Sequence, residues 1–310
     1  MEAFVSLVTN DSYAQGALVL AQSLRNAATL KKLALLITRD VSMDMRHRLS
    51  GLWDELVLVE ELDSCDSEHL SLLTRPELGV TFSKIHAWRL TQYNKCVFLD
   101  ADTMVLHNVD ELFEREELSA APDIGWPDCF NSGVFVFEPS LETFSNLIDL
   151  ARQRGSFDGG DQGLLNIYWG DWATKDIKYH LPFIYNVTPN VTYGYAPAFQ
   201  RFGGNIKIIH FIGPTKPWQH HYNSTVDSVI LSPGTYSSEH RSQDFIRQWW
   251  QLFNQVEQKE SIETGGQEAS SDYQAAYVLN NTTKSPEQTG SIVRLDSFEN
   301  IQAHIDKMLK

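Results

Sequence analysis

The stretch Lys95-Cys96-Val97-Phe98-Leu99-Asp100-Ala101-Asp102-Thr103 decides the fold. Cys96 to Leu99 is an apolar run of strand length that stops on Asp-x-Asp. A run without polar alternation suits a strand buried on both faces, as in a parallel sheet covered by helices. Two carboxylates two residues apart at such a strand end can face one cation and offer it hard oxygen ligands, suited to Mn²⁺ or Mg²⁺. Asp-x-Asp alone is equally a pair of surface acids in a turn. The apolar strand before it favours the metal.

Working outward, the preceding residues alternate strand and helix patterns. Short apolar runs at 3–8, 33–37 and 56–59 read as strands. Helical periodicity covers 13–25, 41–53 and 81–92. This β-α-β-α order predicts a Rossmann-like α/β domain with a mostly parallel sheet. Right-handed crossovers bring the strand C-terminal ends, Asp100 and Asp102 included, to one edge, where open α/β sheets bind ligands. Beyond the motif, strands are expected at 130–137 and 206–211, and helices at 141–152, 162–168 and 244–256. The catalytic domain is expected to span 1–256. Residues 257–290, rich in Gln, Glu, Ser, Thr and Gly, read as a flexible linker. In 291–310 an apolar stripe returns at Phe298, Ile301, Ile305 and Met308, with Asp296 or Ser297 as cap. So short a helix is marginal alone. It either docks on a partner protein or folds back on its own domain.

The chain of 310 residues carries 25 basic and 40 acidic side chains, a formal net charge of -15. That balance argues against a nucleic-acid partner. It also repels an anionic substrate unless a metal or a local cationic pocket intervenes. No apolar run approaches the roughly 18 residues of a membrane span, and the start shows no secretory signal pattern. Cys65, Cys96 and Cys129 form no disulfide framework, which suits a reducing, cytoplasmic setting. The sequons at Asn186, Asn190, Asn223, Asn280 and Asn281 then read as chance.

Three further clusters carry chemistry. The apolar run 206–211 contains His210, and Gly213 and Lys216 follow. An imidazole metal ligand and a phosphate-binding lysine six residues apart make one coherent site, with Gly213 permitting close backbone approach. Gly155-Ser156-Phe157-Asp158-Gly159-Gly160-Asp161-Gln162-Gly163 reads as a loop lying close to a ligand. Asp158 and Asp161 can accept from sugar hydroxyls, or Asp161 can cap the following helix. Asn131 and Ser132 add neutral hydrogen-bonding groups.

Together with Thr9-Asn10-Asp11-Ser12-Tyr13-Ala14-Gln15-Gly16, Arg75-Pro76-Glu77-Leu78-Gly79-Val80-Thr81 and Asp128-Cys129-Phe130-Asn131-Ser132-Gly133-Val134-Phe135-Val136, these clusters resemble the retaining glycosyltransferases of family eight, from Phe4 to about Trp250. The resemblance implies a GT-A nucleotide-sugar-binding fold and a UDP-glucose donor. It implies Mn²⁺ on Asp100, Asp102 and His210. Leu7, Thr9, Asn10, Tyr13 and Ala101 would lie on the nucleoside side, and Arg75, Gly213 and Lys216 around the phosphates. Lys84, Asn131, Ser132, Asp158, Asp161 and Gln162 would surround the glucose. Lys84 and Asp161 would be catalytic, Asp161 as transient nucleophile or as stabiliser of an oxocarbenium face. The resemblance further implies that the enzyme glucosylates its own Tyr193, with Tyr195 as the rival acceptor. It also implies a homodimer, and a tail that binds glycogen synthase and presents it with the primer. Trp249 and Trp250 are either interface or core aromatics.

Overall fold

A computed structural model describes residues 1–73, 75–189, 196–232 and 240–263. Tyr193, Tyr195 and the tail positions Asp296, Ser297, Phe298, Ile301, Ile305 and Met308 lie outside the described residues, as does the expected linker beyond 263. Chain contacts divide the protein into Met1–Glu260 and Ser261–Lys310.

The chain runs β1 (Glu2–Val8), α1 (Asp11–Asn26), β2 (Lys32–Ile37), α2 (Met43–Ser50), β3 (Glu55–Leu58) and α3 (Ser67–Leu73). A 3₁₀ run, Pro76–Arg89, leads to β4 (Lys95–Leu99), β5 (Thr103–Val105), β6 (Ser119–Pro122) and β7 (Phe130–Phe137). Then come α4 (Leu141–Arg154), α5 (Asp161–Tyr168), α6 (Ala196–Phe202), β8 (Ile208–His210), β9 (His221–Asn223), β10 (Ser228–Ile230) and α7 (His240–Glu263). The main sheet has the order β3-β2-β1-β4-β7-β6. The first four strands are parallel, while β7 pairs antiparallel with β4 and β6 with β7. Strand order reverses between β1 and β4, so Thr9 and Asn10 after one strand and Asp100 after the other flank the same crevice.

The apolar runs become sheet interior as expected: every residue of β7, and Cys96 to Leu99 of β4, is buried. Burying each such Phe or Leu is worth about 1.5–3 kcal/mol. Trp88, Phe98, Phe135 and Phe137 interlock under one face, with Phe98 and Phe135 stacked at 5.1 Å. Local signals set the helix starts. Asn10 caps α1 by accepting from the Tyr13 N–H, and Ser140 caps α4 by accepting from the Thr143 N–H. Gly16 lets α1 lie against the Asp-x-Asp turn. A Cβ there would stand 2.3 Å from the Ala101 carbonyl oxygen and 2.8 Å from the Trp218 ring.

Two elements differ from expectation. The helix expected over 81–92 is instead the 3₁₀ run ending at Arg89. Residues 82–88 are all buried, so no amphipathic face exists to favour an α-helix, and side-chain ties hold the backbone. Ser83 Oγ accepts from the Leu62 N–H, His86 Nε2 meets the Glu60 carbonyl, and the Trp88 indole donates to Glu117. The helix expected over 244–256 begins at His240 and continues to Glu263. Trp249 and Trp250 are buried, at 0% and 6% exposure, among Trp218, Tyr222 and Phe253, so both are core residues. No helix among the described residues is long and apolar enough to cross a membrane.

Candidate active site

The metal-type ligands converge through one strand pairing. The β4 strand ends at Leu99, and Asp100 to Asp102 turn into β5, with the Thr103 N–H donating to the Asp100 carbonyl. β5 pairs antiparallel with β8 in a register that sets Thr103 opposite His210. The Phe211 N–H then donates to the Asp102 carbonyl at 2.9 Å. His210 Nε2 consequently lies 3.3 Å from Asp102 Oδ1 and 3.8 Å from Asp100 Oδ2. One ligand atom from each residue falls within 4.8 Å of the others. Cis ligands on a cation bound at about 2 Å stand about 3 Å apart, so this oxygen, oxygen, nitrogen set fits a hard divalent ion.

The histidine is held from behind. Asn186 Nδ2 donates to Asn131 Oδ1 at 2.8 Å, which leaves Asn186 Oδ1 to accept from His210 Nδ1–H at 2.9 Å. That arrangement turns the Nε2 lone pair toward the aspartates. A side chain at position 133 is excluded: a Cβ there would meet His210 Cε1 at 2.2 Å and Nδ1 at 2.6 Å.

Two buried lysines partition the carboxylates. Lys84 Nζ pairs with Asp100 Oδ1 at 2.9 Å and Asp161 Oδ2 at 2.6 Å, and donates to the Ser132 carbonyl at 3.1 Å. Lys216 Nζ pairs with Asp102 Oδ2 at 2.5 Å and donates to the Phe211 carbonyl at 3.0 Å. Burial pulls the Lys84 ammonium down, but Asp100 and Asp161 outweigh it and hold it above the usual lysine range. Burial likewise pushes Asp102 up, and Lys216 and His210 overcome that and hold it well below the usual carboxylate range. Burial together with Asp102 and Asp161 pushes Asp100 up against Lys84 and His210. Asp100, Asp102 and Asp161 against Lys84 and Lys216 leave three negative charges facing two positive, a net of one negative with His210 neutral. A divalent cation would turn that to one positive and make the pocket receptive to a diphosphate. This is the local reversal that the net charge of -15 requires.

The other expected residues divide between this cluster and its frame. Asp161 is the first residue of α5, whose cap is Gly160, so its carboxylate serves Lys84 rather than capping the helix. Gln162 Oε1 accepts from the Ser132 N–H, and its Nε2 donates to Asp123. Asp158 Oδ1 accepts from the Gly160 and Gly163 N–H groups at 2.9 and 3.0 Å and from the Ser156 hydroxyl, so it binds its own loop together. Burial pushes this carboxyl above its ordinary range. Tyr13 packs edge-on against Trp218 at 5.5 Å, with the Lys216 ammonium 5.9 Å from its ring. Leu7 is half-buried on β1, and the Thr9 carbonyl accepts from Thr38 Oγ1. Ala101 is buried between the aspartates. Arg75 stands at the head of the 3₁₀ run that carries Lys84. Gly213 holds φ +100°, with open space where a Cβ would point.

Asn186 and Asp123 were not legible in the sequence as site residues. Asn186 lies in a sequon, but it is 3% exposed and hydrogen-bonded at both ends of its amide, so it is unavailable to a glycan.

A crevice at the β1/β4 strand ends, with two carboxylates and an imidazole that could hold a cation beside the buried Lys84 and Lys216, fits a nucleotide-sugar glycosyltransferase. The chain belongs to glycosyl transferase family 8, whose model matches residues 4–221. It is 56% identical to glycogenin-1 of Oryctolagus cuniculus over 252 residues, covering 81% of this chain and 75% of that one. It is 53% identical to glycogenin-2 of Homo sapiens over 271 residues, 87% of this chain and 54% of that one. The fold is similar to a crystal structure of an active-site mutant of LgtC, with TM-score 0.54 and 15% identity, covering 82% of this chain and 96% of that one.

Proposed function

We propose that this protein is a retaining glucosyltransferase that transfers glucose from UDP-glucose to its own Tyr193. It then extends the sugar with α-1,4 linkages into the primer for glycogen synthase. The similarity to glycogenins supports the reaction, and the cluster of Asp100, Asp102, His210, Lys84, Lys216 and Asp161, with its net of one negative charge, carries it.

A cation such as Mn²⁺ on Asp100, Asp102 and His210 would neutralise the charge that builds on the departing diphosphate. The remaining groups prepare the site. Lys216, fixed beside Asp102 and the Phe211 carbonyl, supplies a point charge for phosphate. Gly213 leaves backbone room for it, and Tyr13 offers an aromatic face for the base. Lys84 holds Asp161 in place, and Asp161 carries the negative charge that an electron-poor anomeric carbon requires. Gln162 accepts from the Ser132 N–H, and Asn131 and Gln162 both donate to Asp123, so these groups are rigid beside the charges and the glucose meets preset partners. Retention makes the new bond alpha, and the same site then accepts the terminal glucose in place of the phenol. The tail is proposed to bind glycogen synthase, so that the enzyme and its primer stay at high effective concentration. A homodimer would let one protomer's tyrosine enter its partner's site. The three free thiols Cys65, Cys96 and Cys129 suit the cytoplasm.

The test is intact-mass spectrometry after incubation with UDP-glucose and Mn²⁺. A ladder of hexose additions that maps to Tyr193, and vanishes in Tyr193→Phe but persists in Tyr195→Phe, is the expected result. An unmodified protein that instead glucosylates a free sugar or polyol would overturn self-glucosylation.

A further inference from the structure

Trp126 is 67% exposed, and no other tryptophan among the described residues is exposed. It rises from the 123–129 connection between β6 and β7, which is stiff rather than loose. The Asp123 N–H donates to the Cys129 carbonyl at 2.8 Å, and the Cys129 N–H donates to the Trp126 carbonyl at 2.9 Å. Asp123 Oδ1 accepts from the Gly125 N–H at 2.7 Å and from the Trp126 N–H at 3.3 Å. The other oxygen of the same carboxylate accepts from Asn131 and Gln162 at 3.0 and 3.2 Å. The backbone beneath the indole is therefore tied to side chains that frame the Lys84–Asp161 cluster. A second exposed aromatic, Phe157 at 50%, stands on the loop that Asp158 latches to α5. Helix α5 joins the two loops: Gln162 Nε2 donates to Asp123 Oδ2 at 3.2 Å, and the Gly163 N–H donates to Asp158 Oδ1 at 3.0 Å.

Resting on the function proposed above, we infer that Trp126 is the platform for the growing glucan, with Phe157 on the second loop that α5 ties to the transfer site. A pyranose ring has a flat face of C–H groups that stacks on indole, and its hydroxyls need acceptors around that face. Here such an acceptor is the exposed carboxylate of Asp128, two residues on, while Asp123 is taken up in holding the loop. Trp126 shares its rigid loop with the exposed Ile124, and apolar groups presented together within a polar rim suit a ligand surface. Its continuity with the site that handles one glucose selects a chain of glucoses as the occupant. The acidic surroundings disfavour an anionic one. Binding a few residues back from the chain end would hold the terminal glucose near the cluster, where its hydroxyl meets the next donor.

The experiment titrates maltohexaose into the full-length protein with UDP and Mn²⁺ present, by calorimetry, for wild type, Trp126→Ala and Trp126→Phe. Hexose ladders and thermal melting are followed in parallel. Trp126→Ala should weaken maltohexaose about tenfold, the loss of one stacking contact of about 1.4 kcal/mol, and truncate the ladder to its first members. Trp126→Phe should bind within about threefold of wild type at the same level, which excludes a folding defect. Equal affinity and equal ladders in wild type and Trp126→Ala would overturn the platform. So would unchanged affinity with a loss of self-association on light scattering, which assigns the ring to a protein contact. A wild type that forms no ladder refutes the parent reaction alone, and the maltohexaose titration then decides the platform by itself.

Discussion

Adding a single methyl group at Gly133 is expected to dismantle the cation site without touching a ligand. The Cβ of Gly133→Ala would sit 2.2 Å from His210 Cε1 and 2.6 Å from Nδ1. Carbon atoms in contact need about 3.5–4.0 Å, so the imidazole must retreat by more than about 1 Å. It cannot retreat freely, because His210 is 4% exposed and bonded to Asn186. Overpacking of this kind costs about 1–3 kcal/mol, and losing the buried Nδ1 bond adds about 1 kcal/mol. A destabilisation of about 2–4 kcal/mol lowers the melting temperature by about 5–10 °C in a domain this size. Because His210 loses its orientation toward Asp100 and Asp102, affinity for Mn²⁺ should fall about 10–100-fold, as when a metal ligand's outer partner is removed. The assay is Mn²⁺ titration followed by electron paramagnetic resonance with UDP present, alongside calorimetric melting. Asn186→Ala should weaken the metal without the steric strain. If Gly133→Ala binds Mn²⁺ as wild type does, His210 is no part of the site and the reasoning fails.

Other predictions follow from the buried charges. Lys84→Met leaves Asp100 and Asp161 uncompensated, which costs about 3–5 kcal/mol. Because a cation would restore part of the balance, added Mn²⁺ should raise the melting temperature of Lys84→Met more than that of wild type, while glucose transfer drops about 100-fold or more. Equal metal-induced shifts would contradict the charge count. The buried imidazoles of His86 and His220 are both lowered from 6.5 to about 4, His86 by burial and then Arg89, His220 by burial. With the folded value below the unfolded one, the unfolded chain binds more protons between these values. Stability is therefore full above pH 6.5 and is lost as pH falls toward 4, by up to about 3 kcal/mol for each histidine. Denaturant melts across that window check this, and His220→Gln should flatten part of the slope.

What was legible in the sequence was whatever depends on neighbours along the chain. The unbroken apolar run ending in Asp100-Ala101-Asp102 gave a buried strand and a pair of ligands at its end. The run 206–211 placed His210 at the end of another. The pairing of Thr103 with His210 is a contact between segments more than a hundred residues apart, and only the family resemblance joined them in advance. Asn186 was invisible for the same reason, since its partners, Asn131 and His210, are distant in sequence and its own surroundings read only as a sequon. The 3₁₀ run carries the local pattern of an α-helix, but tertiary burial of 82–88 overrides local periodicity. Asp161 illustrates an intermediate case. Its neighbours along the chain allow either a helix cap or a site residue, and only the long-range ion pair shows that its carboxylate meets Lys84 while Gly160 is the cap.

The proposed chemistry depends on Asp100, Asp102 and His210 binding one divalent cation against the nucleotide. The most direct measurement is anomalous X-ray scattering from crystals of the protein grown with Mn²⁺ and UDP. One manganese peak is expected within about 2.0–2.4 Å of an oxygen of each aspartate and of His210 Nε2, in contact with the diphosphate. A bound UDP whose phosphates are met only by lysines, with no anomalous peak among those three side chains, would contradict it.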